Sequence, residues 1–144
     1  MSLDRLRVVS GLGSHHTVWL VTIGSDGAPH VAPVWCAVAR DTLCVFSSRS
    51  SAKARNLAAD ARATMHTEDG QDVLIVHGRM IDIGPPSDAQ DAVAAFARKY
   101  VDPDELAYLP GVDPTIDVLF VLEPQRALSW RSADFEGSQE RWHA

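Results

Sequence analysis

Thr17-Val18-Trp19-Leu20-Val21-Thr22-Ile23, then Gly24-Ser25-Asp26-Gly27-Ala28-Pro29, then His30 to Ala39, Arg40-Asp41 and Thr42-Leu43-Cys44-Val45-Phe46-Ser47 read as three strands joined by two turns. The first run is β-branched and aromatic, which suits a half-buried pleated surface. Gly24 to Pro29 is dense in turn residues, and Asp26-Gly27 favours positive φ. Arg40-Asp41 leaves room only for a tight reversal. Links this short join antiparallel neighbours, because a parallel pair needs a crossover of about a dozen residues or more. The stretch therefore predicts an antiparallel meander and argues against a parallel βαβ fold.

Working outward, residues 3–11 carry Leu3, Leu6 and Val9 at a spacing of three and end at Gly11, which predicts a short amphipathic helix. Residues 51–59 predict a second helix, capped by Ser51. A fourth strand is expected at 61–68, a turn at Asp69-Gly70, and a long fifth strand from Val73 to Ile83 that stops at Gly84-Pro85-Pro86. Ser87 and Gln90 have capping-box spacing, and Ala89, Ala92, Val93, Phe96, Ala97 and Tyr100 fall on one helical face. Residues 102–114 hold three prolines and read as a loop. The sixth strand runs from Ile116 to Leu122 and on past Pro124 toward Trp130. The tail from Ser132 to Ala144 is polar apart from Phe135 and Trp142. Six strands with peripheral helices predict a mainly β chain, a small antiparallel barrel, forming one domain over residues 1–144.

The 46% hydrophobic and 22% charged composition is that of an ordinary globular chain. A net charge of −6 argues against non-specific nucleic-acid binding, which needs a cationic surface. No run approaches the roughly 20 apolar residues that span a bilayer, and no cationic leader precedes an apolar stretch, so a cytoplasmic protein is expected. Cys36 and Cys44 sit in apolar strands without metal-ligand spacing and read as reduced core thiols. No metal site is expected. His15, His16, His30, His66 and His77 are scattered and read as surface or core histidines, and no side chain is marked as catalytic.

Ser47-Ser48-Arg49-Ser50-Ser51-Ala52-Lys53-Ala54-Arg55-Asn56 follows an apolar strand and enters a helix. Hydroxyls, cations and a helix N-terminus are the ingredients of a phosphate site. A solvated basic loop has the same composition, and chemistry alone leaves both readings open. Trp35 is likewise open between core packing and contact with a bound ring.

Asp26-Gly27-Ala28-Pro29-His30-Val31-Ala32-Pro33-Val34-Trp35 resembles the D-G-x-P-H-x-x-P-V-W hairpin of the pyridoxamine-phosphate-oxidase-like superfamily. Ser51-Ala52-Lys53-Ala54-Arg55-Asn56-Leu57 resembles the S-x-K-x-R-N-L of its branch that uses the deazaflavin coenzyme F-420. Ala97 to Tyr100, Pro124 to Trp130 and Gly137 to Trp142 extend the likeness over nearly the whole chain. The resemblance implies a split β-barrel homodimer with two cofactors at its interface. It implies that Lys53, Arg55 and Asn56 hold the cofactor phosphate and that Ser47 and Ser48 lie beside the ring or ribityl chain. Pro33, Val34 and Trp35 would line one face of the ring, and Trp130 would come from the partner subunit.

The implied activity is hydride transfer between F-420 and a small conjugated substrate, with the hard chemistry carried by the cofactor. Two alternatives stand beside it. One is an FMN-dependent oxidase or reductase. The other is a non-catalytic protein that binds a flavin, deazaflavin or tetrapyrrole. Arg49, Lys53 and Arg55 together exceed the charge that one phosphate requires, so F-420, with its extra carboxylates, is expected to bind more tightly than FMN. Substrate selection is expected from the loop at 102–114 and the tail. Apolar strand faces such as Val73 to Val76 would need cover, which also favours a homodimer.

Overall fold

The computed structural model describes residues 2–144. Its sheet is set by two turns. At the first, Gly27 has φ +82° and the Asp26 carboxylate accepts the Ala28 N–H at 3.0 Å. There β1 (Thr17–Ile23) reverses into β2 (Pro29–Trp35), and the two pair from Thr17 opposite Trp35 to Ile23 opposite Pro29. At the second, Arg40 and Asp41 take φ of 50° and 57°, the positive-φ pair of a two-residue hairpin turn. It joins β3 (Ala37–Ala39) to β4 (Thr42–Ser47).

The strand expected from His30 to Ala39 is therefore two strands, and Cys36 belongs to neither ladder. The first half follows β1 and the second follows β4, which stand near opposite ends of the order β2-β1-β5-β6-β7-β4-β3. At Cys36 the chain crosses from one edge of the sheet to the other. The curled antiparallel half-barrel is thus closed by a covalent link instead of hydrogen bonds, which is the split expected from the resemblance.

β5 (Arg62–His66), β6 (Asp72–Gly84) and β7 (Val118–Arg131) complete the wall. A bulge lies where His77 faces Arg126 and Gly78 faces Pro124, so that Gln125 is the extra residue. Gly78 is required there, because a Cβ would lie 2.2 Å from the Glu123 carbonyl oxygen. The core gathers Val18, Leu20, Val45, Met65, Val76 and Leu122 from the strands. α1 (Arg5–Gly13) adds Val8, Val9 and Leu12, and α2 (Ala52–Ala59) adds Ala54 and Leu57. A second cluster packs α3 (Gln90–Lys99) on the outer face of β3, β4 and β7 through Ala92, Ala95, Phe96 and Tyr100. Cys36 and Cys44 are buried, as expected of core thiols. No helix among the described residues is long and apolar enough to cross a membrane.

Three local expectations change. Ser51 caps α2 as expected, accepting the Ala54 N–H at 3.2 Å, but the Ser87–Gln90 capping box does not form. Pro85-Pro86 starts a separate turn over Pro86–Asp88, and Ala89 breaks from it at φ −139°. The buried face of α3 consequently takes in Ala95, while Ala97 is exposed. The polar tail is also structured. β4 covers only Val118 to Val121 of β7, so the backbone of the later half needs another partner. A short turn, α4 (Phe135–Ser138), and β8 (Glu140–His143) provide it, with Arg126 to Ser129 pairing His143 to Glu140.

Candidate functional site

The split opens a cleft. Where β2 and β4 part, a space of about 510 Å³ is bounded by Pro33, Val34 and Trp35 on one lip and Phe46 on the other. Phe96 of α3 forms another wall, and Tyr108, Pro110 and Ile116 close over it from the loop before β7. Lys53, in the first turn of α2, stands in the lining. It has no carboxylate partner among the described residues. Four residues read from the sequence, Pro33, Val34, Trp35 and Lys53, thus meet in one cleft.

The walls are mostly aromatic. Trp35 stacks on Tyr100 with centroids 4.3 Å apart and planes 9° from parallel. Phe46 meets Phe96 edge-on at 5.0 Å, and His16 is edge-on to Trp35 at 6.0 Å. His16 Nε2 also bonds the Glu105 carboxylate at the start of the covering loop.

The rest of the serine-rich segment lies beside the cleft and is occupied locally. Ser47 is buried at the end of β4, its hydroxyl 3.0 Å from that of Ser51, and the Ser48 hydroxyl is 2.8 Å from that of Ser50. Arg55 donates to the Ser50 carbonyl. Asn56 donates to the Thr22 hydroxyl at 3.1 Å, toward the end of β1. Arg49 forms a two-pronged pair with Asp82 at 2.7 and 3.2 Å, and its backbone N–H donates to Asp117 at 2.8 Å. The guanidinium beside it holds the Asp82 carboxyl below the usual carboxylate range. Arg49 is therefore paired at the surface with Asp82, which removes it from the spare positive charge counted in the sequence. Trp130 lies elsewhere, opposite Val73 at the far end of β7 and 5.6 Å from Phe135. One protomer does not bring it to the split.

Sequence reading missed Phe46, Phe96 and Ile116, and it named the loop at 102–114 for substrate selection without singling out Tyr108 or Pro110. Phe46 had a signal, since in β4 it alternates with the core residue Val45 and must face outward. Within the loop no period tells which residues face the cleft, so Tyr108 and Pro110 could not be picked out from their neighbours. Apolar aromatic walls, one uncommitted cation and no carboxylate in the lining suit a flat conjugated ring with an anionic tail.

A family model described as pyridoxamine 5'-phosphate oxidase matches residues 7–131. None of the curated proteins matches the sequence. Among solved structures, a conserved hypothetical protein of Mycobacterium tuberculosis is similar at 25% identity and TM-score 0.73, covering 91% of this chain and 86% of that one. An F-420 reductase is similar at 24% identity and TM-score 0.65, covering 82% and 94%. A heme binding protein from Mycobacterium smegmatis is similar at 18% identity and TM-score 0.71, covering 97% of this chain but only 57% of that one. With its split antiparallel sheet and the family match running from α1 to the end of β7, the chain belongs to the pyridoxamine 5'-phosphate oxidase family.

Proposed function

We propose that the split cleft holds the ring of deazaflavin coenzyme F-420 and that the protein is an oxidoreductase acting on a small conjugated substrate. The observation that carries this reading is the cleft itself: Trp35, Phe46 and Phe96 as flat apolar walls, with Lys53 free of any carboxylate at the entry to α2. The family includes oxidoreductases, and its fold binds flavin-type cofactors. When bound, the ring supplies the hydride chemistry itself. The residues of this chain bind, orient and shield. Pro33, Val34 and Trp35 lie against the ring, and the covering loop excludes water through Tyr108 and Pro110. Lys53 neutralises the phosphate with Arg55, Asn56 and the hydroxyls of Ser47 and Ser48 beside it.

The working unit in this proposal is a cytoplasmic homodimer. Trp19, His66, Ile75 and Leu128 form one row across β1, β5, β6 and β7 on the face turned away from the core. All four are only partly buried, which is the condition of a face awaiting cover. Trp130 lies on the same face two positions along, where a second copy would receive it.

FMN is the second reading, and one observation favours it. With Arg49 held by Asp82, the segment offers little beyond what a single phosphate needs. F-420 remains first because the S-x-K-x-R-N-L segment resembles that branch and one similar structure is an F-420 reductase. The test is turnover: purified protein is given reduced F-420, or reduced FMN, with quinone acceptors, and cofactor oxidation is followed optically. Oxidation of F-420 above the protein-free rate supports the proposal. Turnover with FMN alone replaces it by the FMN reading, and tight binding without turnover replaces it by a carrier function.

A further inference from the structure

The kink at Cys36 creates a problem of backbone hydrogen bonding. Cys36 is buried and outside both ladders, so its N–H and C=O cannot be satisfied by a neighbouring strand. Two consecutive side chains at the end of α3 satisfy them. The Tyr100 hydroxyl accepts the Cys36 N–H at 2.8 Å and donates to the His16 carbonyl at 2.6 Å. The Lys99 ammonium donates to three carbonyls, those of Cys36, His15 and Gly13, the last at 2.9 Å. Lys99 thereby ties the end of α1 and the loop after it to the kink, and none of its three partners carries a formal charge. The residue directly before the kink is Trp35, whose ring lies flat on the Tyr100 ring while it borders the cleft. Tyr100 itself is fully buried and does not line the cleft.

We infer that Lys99 and Tyr100 are positioning residues, a clamp that fixes the kink at Cys36 and through it the angle at which Trp35 meets a ligand in the cleft. Tyr100 acts twice, by its hydroxyl on the backbone and by its ring on Trp35. Lys99 acts chiefly on the backbone, its ammonium also lying 3.8 Å from the Cys36 Sγ and 5.2 Å from the centre of the Tyr100 ring. The inference rests on reading the cleft as the ring site, and the experiment separates the two.

Tyr100→Phe keeps the stacked ring and loses the hydroxyl. Lys99→Met keeps the apolar stem and loses the donors. Affinity for F-420 and FMN is measured for each variant by fluorescence titration, in the wild-type background and in Trp35→Phe. Val9→Ala, a core change away from the cleft, serves as the stability-matched control. The clamp variants should bind about 3–10-fold more weakly, the part of their several lost hydrogen bonds that reaches the ligand through Trp35, and that loss should vanish in the Trp35→Phe background. Val9→Ala should leave affinity unchanged. Unchanged affinity in both clamp variants, or an equal loss with and without Trp35, overturns the inference. If the wild-type protein binds neither cofactor, the reading of the cleft fails by itself, and the clamp is judged without ligand. Acrylamide quenching of Trp35, taken as the difference between each protein and its Trp35→Phe counterpart, should then rise in both clamp variants. No rise overturns the clamp.

Discussion

Lys53 and Arg49 stand four positions apart in one basic segment and have opposite fates. Lys53 faces the cleft without a carboxylate partner among the described residues, so its replacement should affect binding far more than folding. Lys53→Ala is expected to weaken cofactor binding about ten- to a hundred-fold, the value of one charge-assisted contact to phosphate. Its melting temperature should barely move, and a titration beside a thermal melt checks both. Arg49→Ala should leave the ratio of F-420 to FMN affinity unchanged and lower the melting temperature only slightly, because its pair with Asp82 is half exposed. The Asp82 carboxyl is depressed first by its bond to Arg49, so the stabilisation it gives is complete above the ordinary Asp range near pH 4. That stabilisation is lost as pH falls through the lower folded value. Asp82→Asn should therefore flatten the acid limb of a stability-versus-pH curve measured by urea unfolding, and an unchanged limb would count against the pair. Lys53 was legible in the sequence because the S-x-K-x-R-N pattern is local. The pairing of Arg49 was not, since Asp82 lies on a different strand and nothing in the spacing joins them.

At the scale of the elements, strands were legible where side chains alternate between core and surface, as in β1, or where a short apolar run lies between turns, as in β4. What escaped was set by partners remote in sequence. The break at Cys36 exists because β1 and β4 pull the two halves of one apolar run to opposite edges. β8 exists because β4 is too short to cover β7. Neither cause leaves a mark in the local pattern. The bulge between β6 and β7 gives a sharp test. Gly78→Ala would press a methyl group into the Glu123 carbonyl, and overpacking of this kind costs about 1–3 kcal/mol. A thermal melt should fall by about 3–10 °C, and an unchanged melt would contradict the close approach. The two thiols test the packing of β3 and β4. Burial is the main cause that raises both, Cys44 to about 11, so neither should be a thiolate at pH 8. A disulfide reagent should label neither in the native protein and both in denaturant.

On the scale of the whole molecule, the face that carries Trp19, Ile75, Leu128 and Trp130 is partly buried and lacks cover from the described residues of one protomer. The sequence pointed to Val73 to Val76 as a face in need of cover, and strand alternation divides that run. Leu74 and Val76 point into the core, and Val73 and Ile75 point out. Light scattering at micromolar concentration should report a dimer, and a folded monomer would contradict the two-copy arrangement. The central claim, that the split cleft takes a flavin-type ring by aromatic walls and Lys53, is tested most directly by fluorescence titration of the purified apoprotein. F-420 and FMN are titrated in parallel at low and moderate ionic strength, against wild type and Lys53→Ala. The account predicts saturable binding with F-420 the tighter ligand, affinity for both cofactors that weakens with salt, and a clear loss of affinity in the variant. Binding of neither cofactor, or affinities identical in wild type and Lys53→Ala, would contradict it.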